Sequence, residues 1–346
     1  MRKEIKTAMK SKYIALCMLL VSNTALCATS DARRAQISEI LTSIKSEQGY
    51  PGVSLAVSFK GDDYTDQIGF SDVAAAASVN EDTVFRAYSL TKGLTEILAR
   101  ILVINRTLDL ESPISNYLPS IPSHLQLVTS HQLLSHRSGI RHYQSEDEWL
   151  RLSKQHCTSP KDAIATFIDD PLISKVGSQK HYSSFGYVLL SAVFESASDE
   201  SFENLMSKYI LEPSEASSTE FDKPSESSHS NRTKFYEPSN GTYVEAPNIN
   251  NSCKFGGGGL NSTPREIAQV YYAYFSGSLS SETPLQVTEY LPKHFTLSGE
   301  GLGGRAALIA YPSENLTVVL MANARGGNLQ PYASKIADLF LIHTEK

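Results

Sequence analysis

The sequence predicts an α/β protein of the α+β type. One antiparallel sheet, assembled from both ends of the chain and flanked by terminal helices, adjoins a mainly helical lobe. Three observations lead to this reading. Apolar residues alternate in two pairs of short segments, one pair near each end, and a turn joins each pair. A helical stripe of apolar residues lies outside each pair. Between them, residues 90–210 are apolar and helical in pattern, with stops at Pro113, Pro119, Pro122, Gly139 and Pro171. The sheet lobe is expected over about 32–85 and 295–346, and the helical lobe over about 86–290.

In chain order, residues 1–28 read as a signal peptide. Arg2, Lys3, Lys6, Lys10 and Lys12 form a basic head, Tyr13 to Leu20 leads an apolar stretch too short to span a bilayer, and small residues surround a cut near Cys27-Ala28. Bulky Leu26 argues against lipidation of Cys27. The expected mature domain, 29–346, is therefore periplasmic or secreted, and no second apolar segment follows to insert stably in a membrane. Of the four cysteines, Cys157 and Cys253 remain after cleavage. They can pair if the fold brings them together, which the sequence leaves open.

Residues 32–48 put Ile37, Ile40, Leu41 and Ile44 on one helical stripe, ended by Pro51-Gly52. Val53 to Phe59 alternates, Lys60-Gly61-Asp62-Asp63 turns, and Tyr64 to Phe70 returns as a hairpin. Leu94, Ile97, Leu98, Ile101 and Leu102 describe a helix with one buried stripe. Residues 213–252 are polar, rich in Ser, Asn and Pro, and read as a long excursion that lines or caps a site. Ala306 to Tyr311 and Leu316 to Ala322 form the second hairpin, and a last helix from about Tyr332 to His343 carries Ile336, Leu339 and Phe340 on one side.

Ser89 and Lys92 open the helix after Tyr88 as the chain's sole Ser-x-x-Lys, so they stand side by side on one face. At a helix N-terminus, free N–H groups can hold an oxyanion, and a half-buried lysine is biased toward the neutral amine that can deprotonate a serine. His181-Tyr182-Ser183-Ser184 precedes the apolar run Val188 to Phe194. A tyrosine at such a junction can point into a cleft, where a nearby cation would lower its pKa and make it a base. Gly256 to Gly259 leads into a helix capped by Ser262 or Thr263, with no lysine behind it to make a phosphate loop. Leu297-Ser298-Gly299-Glu300-Gly301 runs into the terminal hairpin, where glycines on a strand edge can admit a substrate backbone or supply an oxyanion N–H.

Composition narrows the classes. With 41% hydrophobic and 20% charged residues the chain is an ordinary globular protein, and a net charge of −6 with a pI near 5.9 gives no electrostatic case for nucleic acid. Nothing resembles Gly-x-x-x-x-Gly-Lys-Ser/Thr, and the nine histidines include no His-Glu-x-x-His, so neither a nucleotide nor a metal site is expected. The expected partner is a small-molecule or peptide substrate.

Taken in order, these pieces resemble the serine beta-lactamase / penicillin-binding protein family in its class C-like branch. Phe85 to Lys92 resembles the nucleophile box, Leu133-Leu134-Ser135-His136-Arg137-Ser138-Gly139-Ile140 a family marker, and Tyr182-Ser183-Ser184 the Tyr-x-Asn box. His136 to Tyr143 and Asn231 to Tyr236 are similar to the mitochondrial serine beta-lactamase-like members. The resemblance implies a beta-lactamase/transpeptidase-like fold and acyl-enzyme chemistry without a cofactor. Ser89 would be the nucleophile, Lys92 and Tyr182 its proton carriers, and Ser184, Ser298, Gly299 and Glu300 substrate-binding residues. Two departures stand out. Ser184 replaces the asparagine of the second box. The third box, which carries a cation, falls on Leu297-Ser298-Gly299 without a gap or on Gly299-Glu300-Gly301 with a one-residue gap; neither placement has the cation, for which Arg305, Lys293 or His294 could substitute. Amide or ester cleavage of the peptidase or esterase kind is therefore expected ahead of efficient beta-lactam hydrolysis. The alternative is a catalytically idle ligand-binding or assembling protein on the same fold.

Overall fold

The computed structural model describes residues 31–223, 231–279 and 291–341; the expected signal peptide and the end of the last predicted helix lie outside them. Strands β1 (Gly52–Phe59), β2 (Asp62–Asp72), β3 (Ala77–Ser78), β4 (Phe295–Gly301), β5 (Gly304–Tyr311) and β6 (Leu316–Ala322) form an antiparallel sheet in the order β3-β2-β1-β6-β5-β4. β1 and β6 join the two ends of the chain, with Val53 opposite Ala322 and Phe59 opposite Leu316.

Alternation decides which layer each side chain enters. Val53, Leu55 and Val57, with Val318 and Leu320, face Ile37, Leu41 and Ile44 of the first helix (31–48) and Ile336 and Phe340 of the last (Gln330–Leu341). Ala56, Val319, Met321 and Leu308 face the opposite way, into the larger core with helix Pro264–Phe275 and the helical lobe. Each such fully buried Val, Leu, Ile or Met chain contributes about 1.5–3 kcal/mol.

The helix Leu90–Ile104 departs from the expectation of one buried stripe. Thr91, Lys92, Gly93, Thr95 and Ala99 are buried as well, because the helix is enclosed by helix Ser184–Ser198, by β4 and by the turn Ser252–Gly257. The polar excursion carries a small hairpin, Tyr236–Ser239 with Thr242–Glu245, docked on the sheet through the Tyr236 N–H to the Asn323 carbonyl, 2.9 Å. Cys157 and Cys253 are disulfide-bonded across 96 residues of sequence, a pairing the sequence left open.

Candidate active site

The residues before Ser89 form a rigid approach. The short strand Phe85–Arg86 pairs with Leu260–Ser262, and Tyr88 takes a left-handed φ of 46°, a strained choice for a residue with a side chain. Two contacts hold it there. Its hydroxyl donates to the Leu302 carbonyl at 2.6 Å, and its ring lies so close to Gly301 that a Cβ there would sit 2.4 Å from Tyr88 Cε1. Gly299 is equally constrained: a Cβ would meet the Ala87 carbonyl oxygen at 2.7 Å and the Ser89 nitrogen at 3.0 Å. Glycine thus lets edge strand β4 run against the backbone of Ser89, where the Ser89 N–H and strand N–H groups can converge on one oxygen.

Ser89 Oγ lies 2.6 Å from Tyr182 Oη and accepts from Lys92 Nζ at 3.1 Å. Lys92 is 3% exposed and also donates to Ser184 Oγ at 3.0 Å and to the Gly257 carbonyl at 2.5 Å. Burial pulls its pKa below the ordinary lysine value, and contact with Tyr182 only partly offsets this. Burial alone would raise the Tyr182 phenol, but the nearby Lys92 charge and the hydrogen bond with Ser89 outweigh it and bring its pKa down. Although Tyr182 is 46% exposed, its hydroxyl is turned onto Ser89. Serine, amine and phenol therefore form one proton-sharing unit.

Two histidines fix the loop that carries Tyr182. His136 Nδ1 accepts the Ser183 N–H and His142 Nδ1 the Ser184 N–H, each at 3.2 Å, while both rings pack against Tyr182 with centroids 4.7 and 5.1 Å away. Burial, and then the Lys92 charge, pushes both imidazoles down to about 4, so they are neutral acceptors at pH 7. Ser183 completes the anchor by capping helix Ser184–Ser198 through Gly186 N–H and donating to the Arg141 carbonyl. Their role was invisible beforehand, although both histidines lie in a stretch already noted for its family pattern.

These groups open onto a cleft of about 470 Å³, lined in part by Ser89, Tyr182, Ser184, Ser298 and Glu300. Lys92 lies beneath it, and Gly299 backs Ser89 rather than lining the space. Leu297 packs against Gly93 and not toward the cleft, with its Cδ1 2.6 Å from where a Gly93 Cβ would be. None of the three cations considered as its substitute lines the cleft: Arg305 is paired with Glu300 at 2.9 Å, His294 stacks on Tyr311, and Lys293 is exposed. Sequence reasoning missed Glu146, Trp149, Lys254 and Arg325, which do line it. Of these, only Lys254 gave a signal, as a cation two residues before the glycine run.

A family model described as Beta-lactamase matches residues 31–339. The human "Serine beta-lactamase-like protein LACTB, mitochondrial" is 26% identical over 338 residues, covering 77% of this chain and 61% of that protein. The chain thus spans less than two thirds of that relative's length. The D-amino acid amidase from Ochrobactrum anthropi SV3 has a TM-score of 0.75 at 19% identity, over 90% of this chain and 98% of that one. The octameric penicillin-binding protein homologue from Pyrococcus abyssi also gives 0.75, at 21% identity over 89% and 77%. At these identities the two structures share the fold.

Proposed function

The chain belongs to the beta-lactamase family and has a beta-lactamase/transpeptidase-like fold, and on that premise we propose that it is a serine hydrolase working through an acyl-enzyme intermediate. The observation that carries this reading is the Ser89 hydroxyl, held at once by Tyr182 and Lys92. Ser89 Oγ attacks a carbonyl carbon while its proton passes to the Tyr182–Lys92 pair. The same pair returns the proton to the departing amine or alkoxide. Water then attacks the acyl-serine by the reverse route and releases the acid. The oxyanion of each tetrahedral state is held by the Ser89 N–H and an N–H of β4.

Substrates are amides or esters. Leu297, packed on Gly93, supports peptidase- or esterase-type turnover over efficient beta-lactam hydrolysis, because no cation stands at that point of β4. Export to an oxidising compartment is supported by the Cys157–Cys253 disulfide. The test is hydrolysis of p-nitrophenyl valerate, a neutral activated ester. The wild type is expected to cleave it in a reaction that Ser89→Ala abolishes; a rate that survives Ser89→Ala contradicts the reading.

A further inference from the structure

Three cations in or near the cleft are already engaged. Lys92 is held by Ser89, Ser184 and Gly257, Arg325 by Glu146 and Glu237, and Arg305 by Glu300. Lys254 differs. It lines the cleft, yet among the described residues its Nζ makes no hydrogen bond or ion pair, and it sits over the Trp149 ring at 4.3 Å from the centroid, with Tyr143 at 5.8 Å. Asp222, whose charge favours the ammonium, is engaged by Arg86 and Arg232.

Its position is built rather than incidental. Lys254 follows disulfide-bonded Cys253 and lies in the turn Ser252–Gly257, whose last carbonyl holds Lys92. The Lys254 stem runs beside Gly258, where a Cβ would stand 3.7 Å from its Cδ. One turn therefore places both lysines relative to Ser89. A half-buried ammonium carries three donors, and with no protein acceptor among the described residues those of Lys254 are left to the cleft that it lines. The two aromatic rings add an apolar wall and a cation–π contact but no acceptor oxygen. An anionic group entering the cleft would supply one.

We infer that Lys254, backed by Trp149 and Tyr143, is an anion subsite of this cleft, and that the substrate is an ester or amide bearing a carboxylate. The inference rests on the hydrolase reading and deepens it by naming a substrate class. Carboxylate recognition thereby moves from β4, where Leu297 faces Gly93, to the turn before the glycine run. Burial, and then the charges of Arg86 and Lys92, bias Lys254 against its charged form; a bound carboxylate reverses that bias.

The test compares mono-p-nitrophenyl adipate with neutral p-nitrophenyl valerate. The ratio of their kcat/KM values in the wild type should exceed the ratio in Lys254→Met and Lys254→Gln by about 10- to 100-fold, the range for one charge-assisted hydrogen bond. Lys254→Arg should retain most of the preference. An unchanged ratio in folded Lys254→Met or Lys254→Gln overturns the subsite and leaves the hydrolase reading standing. If the wild type cleaves neither ester, the hydrolase reading fails, and binding decides the subsite separately. Trp149 is the chain's sole tryptophan, so its fluorescence can follow titration with monomethyl adipate. Saturation that Lys254→Met weakens at least about tenfold, and that dimethyl adipate does not produce, supports the subsite. Equal affinity in wild type and Lys254→Met, or no saturation in the wild type, overturns it.

Discussion

At the scale of single residues, the account turns on where one proton resides. Tyr182 touches Ser89 through its hydroxyl alone, and the ring remains in Tyr182→Phe. Turnover of p-nitrophenyl valerate should fall about 100-fold or more, the usual range for losing a general base, while the melting temperature changes little. An unchanged rate would reduce Tyr182 to a packing residue. His136 and His142 give a second residue-scale prediction. Their native pKa values near 4 lie below the 6.5 of an unperturbed imidazole. Between those values the unfolded chain binds protons that the native imidazoles refuse, so stability falls as pH drops through that window. His136→Asn/His142→Asn replaces each imidazole with an amide that does not titrate. Its loss of melting temperature between pH 7 and pH 4.5 should be smaller than that of the wild type; an equal loss would contradict the assignment.

At the scale of elements, β4 meets the Ala87–Ser89 backbone, which leads into the helix Leu90–Ile104, with no space to spare at Gly299. Both nearest atoms to a new Cβ there are backbone, so Gly299→Ala must displace either the strand or Ser89. A misplacement near 1 Å at a reacting group costs on the order of 100-fold, whereas overpacking costs about 1–3 kcal/mol of stability. Gly299→Ala is therefore expected to stay folded and lose at least about tenfold in kcat, measured against Thr296→Ala, an exposed position of the same strand that does not line the cleft. Equal activity in the two variants would mean that β4 does not set the position of Ser89. The helix itself illustrates how far sequence reading reaches. Its apolar stripe was evident from spacing, but the burial of Lys92 and Thr95 on its other faces depends on the turn Ser252–Gly257, more than 150 residues away.

At the scale of the whole molecule, local periodicity was legible and long-range closure was only partly so. Alternation in Val53 to Phe59 and Leu316 to Ala322 announced two hairpins, and the stripes at Ile37 and Ile336 announced the helices that cover them. The spacing of Ser89 and Lys92 was equally plain. Tyr182 depended on a junction motif, because its contact with Ser89 joins positions 93 residues apart. The disulfide and the histidine anchors were not derivable, since each joins segments whose separation only the assembled fold sets. Lys254 was hidden for a related reason: a lysine beside glycines is ordinary until Trp149 is folded over it. The central claim is that this assembly makes one serine nucleophilic. It is tested most directly by incubating the folded chain with a fluorophosphonate and locating the adduct by intact-mass and peptide mass spectrometry. The account predicts one adduct per chain, on Ser89, absent from Ser89→Ala. No adduct, or an adduct on another serine, would contradict it.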